Sequence, residues 1–160
     1  MARKSFLLIK LLGLMKAILF NICAVVSLLG CAPHAHDKAV ILRPLVTADV
    51  VKIHDNNGNA LPVGDITNTD RVEKFVSFVN SLPQDWSTPW YGPPVGRIYF
   101  DFYKNETNVG NLYVGPNFFG RDVYYREGTI KFYSQSATEP QIKELGRIVG
   151  LDVWKYVQEP

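Results

Sequence analysis

A chain of 160 residues, 47% hydrophobic and 12% aromatic with a net charge of +2, has the size of one domain and too much apolar surface for a disordered chain. Arg3, Lys4, Lys10 and Lys16 face no acid in the first thirty residues, so the remainder holds 13 basic against 15 acidic residues. With no basic stripe, that balance excludes a general nucleic-acid binder.

Both cysteines, Cys23 and Cys31, lie at or before position 31. The chain beyond Cys31 must therefore stand on a hydrophobic core without a disulfide, which about 125 residues can supply. From Ala17 to Leu29 the chain is apolar apart from Asn21 and Ser27, too short a run to span a bilayer and preceded by basic residues, as in an export signal. It closes on Leu28-Leu29-Gly30-Cys31, with an aliphatic residue three before the cysteine and a small one directly before it. This pattern resembles the lipobox of bacterial lipoproteins, a resemblance confined to residues 1–31.

The resemblance implies that residues 1–30 are a signal peptide and that the Cys31 thiol accepts diacylglycerol, with further acylation at the freed amino group. The first expected partner is thus a membrane. Each buried CH₂ contributes about 0.8 kcal/mol, so two or three acyl chains hold essentially permanently. Ala32 stands where Asp would mark inner-membrane retention, which favours the outer membrane, facing the periplasm. Met15-Lys16 directly before the apolar run is the compact start such signals have, and translation is expected to begin there.

Residues 31–48 read as lipidated cysteine and tether, with Pro33, Pro44 and a short apolar run at 40–42. His34-Ala35-His36-Asp37 has alternating imidazoles and a carboxylate, but a flexible tether supplies no second layer of hydrogen bonds to fix a metal site. Residues 49–160 read as one domain. Val50, Val51 and Ile53 make a strand that meets a turn at Asn56-Asn57-Gly58-Asn59, with 60–63 as its return. Val72, Phe75, Val76, Val79 and Leu82 carry the spacing of a helix over 70–82, Phe78 widening the stripe. Asp70 and Glu73 have capping-box spacing, and Pro83 closes the helix.

A loop with four prolines and three large aromatics, Trp86, Trp90 and Tyr91, spans 83–96. Strand periodicity comes next at 97–103, where Ile98, Phe100 and Phe102 alternate with Tyr99, Asp101 and Tyr103. Partner strands are expected at 109–114, 122–126 and 129–134, with turns at 104–108, Gly115-Pro116-Asn117 and Glu127-Gly128. Thr138 with Gln141 starts a second helix whose stripe is Ile142, Leu145, Ile148 and Val149, and Gly150-Leu151 ends it. Residues 151–157 form a last short strand or packed tail. The expected class is a single two-layer α+β domain, an antiparallel sheet of about five to six strands with two amphipathic helices on one face.

Catalytic patterns are sparse. His54 is the one histidine beyond the tether, no G-x-S-x-G occurs, and a carboxylate pair is conceivable between Asp101 on one strand and Asp122 or Glu127 on its neighbours, a meeting that spacing alone does not show. Neither cofactor nor metal is implied. The partner-binding candidates are Trp86, Trp90 and Tyr91 in the proline-rich loop and Tyr99, Tyr103 and Tyr113 on the sheet face opposite the apolar strand residues. The bland reading makes one tryptophan a plug for the core and the tyrosines cross-strand support. The expected function is a non-enzymatic protein-binding module of the cell envelope, an immunity or inhibitor protein being its sharpest form. Alternatives are an accessory of a secretion or envelope machine, and a hydrolase cutting glycan or peptidoglycan with carboxylates.

Cys31→Ser is expected to leave an unprocessed precursor, since a hydroxyl replaces the thiol that takes the lipid. Labelled fatty acid should enter the wild type and not the variant; equal incorporation would sink the lipoprotein reading.

Overall fold

The computed structural model describes residues 39–125 and 127–159. Cys31 and the cluster His34-Ala35-His36-Asp37 lie outside them. Alternating apolar residues build five strands, β1 (Val50–Asp55), β2 (Ile98–Lys104), β3 (Thr107–Val114), β4 (Phe118–Tyr124) and β5 (Ile130–Ser136). They pair antiparallel in chain order. The register stacks Val51 on Phe102, Ile53 on Phe100 and Leu112, and Ile98 on Val114 and Phe119, making one sheet face apolar over β1 to β3, with Arg121 and Gln135 as its polar members on β4 and β5. Such a face must be covered.

Helices α1 (Thr69–Ser81) and α2 (Glu139–Val149) cover it, completing a single α+β domain. The Phe75 ring of α1 meets Phe100 and Phe102 edge-on with centroids 5.0 Å away in each case, the geometry aromatic quadrupoles prefer. α2 buries Ile142, Leu145 and Val149, and Arg71 of α1 donates from Nη2 to the Val149 carbonyl at 2.8 Å, satisfying a free helix end. The capping-box partners of α2 meet as expected, with the Thr138 N–H donating to Gln141 Oε1 at 2.8 Å. Gly150, at φ 71°, turns the chain out.

Local details depart from the sequence expectations. The N-cap of α1 is Asn68, whose Oδ1 accepts the Arg71 N–H at 3.1 Å, so Asp70 lies inside the first turn. Residues 60–63 make no strand, only a bridge from Ala60 to His54, and Ile66 bridges Val51. β4 starts at Phe118, directly after the turn. The tail is a short helix, α3 (Val153–Gln158), which buries Val153 and Val157 one turn apart.

The largest correction is the boundary of the tether. Leu42 and Leu45 are buried in the core, and the Asn80 side chain of α1 clamps the Leu45 backbone, accepting its N–H at 2.8 Å and donating to its carbonyl at 3.1 Å. Val40 pairs with Trp86, donating to its carbonyl at 2.7 Å. Pro44 is compatible with this extended path, because its fixed φ suits an extended chain as well as a linker. Leu45→Ala should therefore cost about 2 to 5 kcal/mol of stability in urea unfolding; a loss under about 0.5 kcal/mol, normal for a surface site, would return residues 41–48 to the tether.

Candidate functional site

The proline-rich loop leaves the helical layer at the edge of β5. Ser87 and Ser134 exchange backbone bonds of 2.9 Å in each direction, adding a short sixth segment beside the sheet. Trp86, immediately before, is 0% exposed and belongs to the core. It is thus corrected as a partner-binding candidate: the indole that plugs the core cannot also meet a partner. The chain then turns through Pro89-Trp90-Tyr91-Gly92, closed by the Gly92 N–H to the Pro89 carbonyl at 3.4 Å, with Gly92 at φ 98°. At this turn Trp90 is 91% and Tyr91 64% exposed, their rings edge to face at 5.7 Å. Val95 is exposed further along. Gly96 ends the crossing, its N–H donating to the Tyr99 hydroxyl at 3.1 Å, and the Arg97 N–H joins the Val114 carbonyl at 2.7 Å.

This return path crosses the sheet face opposite the helices. A Cβ on Gly96 would lie 2.9 Å from the Tyr113 Cβ, and one on Gly120 would lie 1.9 Å from its ring. Only glycines let the Tyr113 ring lie flat between loop and strand. Tyr113 is consequently 2% exposed, which corrects its place in an exposed tyrosine patch; alternation assigned the right face but gave no sign that the loop covers it. Tyr99 is half-buried, stacked against His54 at 5.4 Å and Tyr113 at 5.3 Å. Its faces are occupied. Tyr103 is half-buried beneath the Lys52 ammonium, 4.6 Å from the ring centroid.

Beside these rings runs a polar row. Asp101 lies opposite Asn111, and Asn111 is joined to Asp122 by its amide (Nδ2 to Oδ2, 2.9 Å) and by its Oδ1, which accepts the Asp122 N–H at 2.8 Å. Asp101 is held by His54, Nε2 to Oδ2 at 3.0 Å, while His54 Nδ1 lies 2.9 Å from the Asp55 carbonyl. With acceptors at both nitrogens, a neutral ring can donate to only one of them. No spacing announces this contact, because its partners are 47 residues apart. Asn111 separates Asp101 from Asp122, so their backbones are two strand spacings, about 10 Å, apart. Glu127 lies on the β4–β5 turn, away from both.

Two further groups escaped sequence reading. Arg121 is 7% exposed on the helix-facing side, its guanidinium 6.0 Å from the Trp86 ring and its Nη1 donating to the Arg43 carbonyl at 3.4 Å. Burial pushes its pKa down to about 10. At one end of the sheet an open cleft of about 630 Å³ is lined by Asp55, Asn56, Val95, Gly96, Arg97, Tyr156 and Glu159. Asp55 is occupied in its own turn, accepting the Asn57 and Asn59 N–H groups at 2.8 Å each. Among the described residues no three His, Cys, Asp or Glu side chains converge as metal ligands, and no helix is long and apolar enough to cross a membrane. No protein-family model, curated protein or solved structure matches the chain.

Burial raises the Asp122 carboxyl above its usual value of 3.8, the Asn111 amide opposing the shift. A carboxyl so raised keeps its proton in the folded state where the unfolded chain has lost it. Stability from this group therefore falls as pH rises from 3.8 through the folded value. Asp122→Asn keeps an acceptor for the Asn111 amide and should flatten that slope, read as urea midpoints across acid to neutral pH. An unchanged slope would show that Asp122 is not its source.

Proposed function

We propose that this chain is an envelope lipoprotein, anchored through Cys31, whose domain is a non-enzymatic protein-binding module with the Trp90–Tyr91 turn as its principal contact. The observation that carries this reading is the exposure of an indole and a phenol, side by side, at the tip of a loop fixed at both ends. Large aromatics left in water at such a site are what a partner's pocket covers, because each such side chain offers about 150 to 250 Å² of contact area. The prolines and the closed turn restrict the backbone before binding, which lowers the ordering cost of association.

The stacked rings of the sheet face support the same assignment by contrast. His54, Tyr99 and Tyr113 cover one another, whereas Trp90 and Tyr91 meet edge to face and both stay largely exposed. An immunity or inhibitor protein is the form that best matches a small domain held permanently at a membrane, since such a protein acts by occupying its target.

Substitution to alanine separates the three aromatics. Trp86→Ala should cost about 3 to 5 kcal/mol, as for a tryptophan lost from a core. At least one of Trp90→Ala and Tyr91→Ala should stay within about 1 kcal/mol of wild type yet lose a partner that wild-type protein retains from envelope extracts. If both variants retain every partner, or both unfold, the turn is scaffold.

A further inference from the structure

On the helix-facing side of the sheet, the β4–β5 hairpin sets Arg121 opposite Tyr133 and Val123 opposite Lys131, with Tyr125 next on the same face. Burial ends along this row: Arg121 and Tyr133 are buried, Tyr125 and Lys131 exposed. The Lys131 ammonium sits 5.3 Å from the Tyr125 ring centroid, and the Tyr125 and Tyr133 hydroxyls are 3.1 Å apart. One O–H of that pair serves the other oxygen, which leaves the second O–H to donate elsewhere.

Arg121 is the member of this row whose donors are least satisfied. Its Nη1 donates to the Arg43 carbonyl, but the edge formed by Nε and Nη2 meets no acceptor among the described residues, and Nε is fully enclosed. The Trp86 indole, whose ring centroid is 6.0 Å from the guanidinium carbon, also buries its Nε1–H without a partner. Enclosed donors normally have acceptors. Asp85, next to Trp86 in the chain, is engaged instead by Gln135, whose amide, turned with its nitrogen toward acceptors, donates to Asp85 Oδ1 at 2.6 Å and to the Pro83 carbonyl at 2.7 Å. Among the described residues no carboxylate forms an ion pair with Arg121, Arg43 or Lys131. Positive charge and N–H donors thus gather without a counter-charge, which a protein interior tolerates poorly.

We propose that the Nε–Nη2 edge of Arg121 is a binding site for a carboxylate group, reached along the hairpin face past Lys131 and Tyr125. Two parallel N–H donors match the two oxygens of a carboxylate, so a planar, forked ligand suits this edge better than a spherical ion. Lys131, at the open end of the row, draws an anion toward it. The carboxylate belongs to a small organic acid or to an acidic peptide side chain; the recognising chemistry is the same. This site is separate from the Trp90–Tyr91 turn and does not depend on the anchor at Cys31.

The test titrates the full chain, expressed in bacteria and purified in detergent, with sodium acetate, hexaglutamate, sodium phosphate and, at matched ionic strength, sodium chloride. Acetate or hexaglutamate should raise the melting temperature saturably and shift the Arg121 Nε–H resonance, identified by its loss in Arg121→Lys. A response to acetate supports a site filled by a small acid, and one to hexaglutamate alone supports a site filled by a peptide. Arg121→Met should fold and lose the thermal response, and Arg121→Lys, which keeps the charge without the fork, should weaken it severalfold. An equal response to chloride, a saturable response to phosphate alone, a response unchanged in the folded Arg121 variants, or no saturable response in the wild type would each overturn the site.

Discussion

The joint at Trp86 is the constraint on which the arrangement of this molecule depends. Its carbonyl takes the Val40 N–H, its neighbour Ser87 pairs with Ser134, and its indole fills the core beneath Arg121. Three stretches distant in sequence, the entry of the chain, the proline-rich loop and β5, are fixed by two adjacent residues. The pairing also covers the open edge of β5, while Ile66 and Leu61 shield that of β1 through bonds to Val51 and Ile53. Neither edge is left as a long template for another strand, the usual hazard of an antiparallel sheet.

The two sheet faces obey different rules. On the helix side, hydrophobic area and ring geometry around Phe75 decide the packing. On the other side the 88–97 stretch crosses over Tyr113, and two glycines provide the room. The crossing lies over Tyr113 and Tyr99, and on the same face burial of Asp122 raises the pKa of its carboxyl. The polar row is thereby bound up with holding strands together, since every carboxylate in it already has a side-chain partner in His54 or Asn111.

The helices were legible because each shows several turns of apolar periodicity and an end signal, and β2 because six residues alternate cleanly. β4 was not, since Phe118-Phe119-Gly120-Arg121 does not alternate: Gly120 is small for Tyr113, and Arg121 is a charge facing the core. α3 has only Val153 and Val157 to mark it, too little for a period. Leu42 and Leu45 read as tether because two prolines flank a short run, and an extended segment clamped by Asn80 carries no periodic signature of its own. At the candidate site, composition singled out the aromatic loop, but which tryptophan faces inward depends on the Ser87–Ser134 pairing, a contact spanning 47 positions.

Arg121 shows how the chain's entry is held in place at an energetic cost. A guanidinium this deeply buried is desolvated, and among the described residues it has no carboxylate partner. Lowered to about 10, its pKa still leaves it charged at neutral pH. The Trp86 ring and the Arg43 carbonyl offset part of that loss through a cation–π contact and a charge-assisted bond. An apolar residue of similar volume would pack there at lower cost, but it would offer nothing to the Arg43 backbone. Arg121 thus links β4 to the segment 41–46, so that residues leaving the core at Ile41 and Val46 do so along one defined path beside the β4–β5 hairpin.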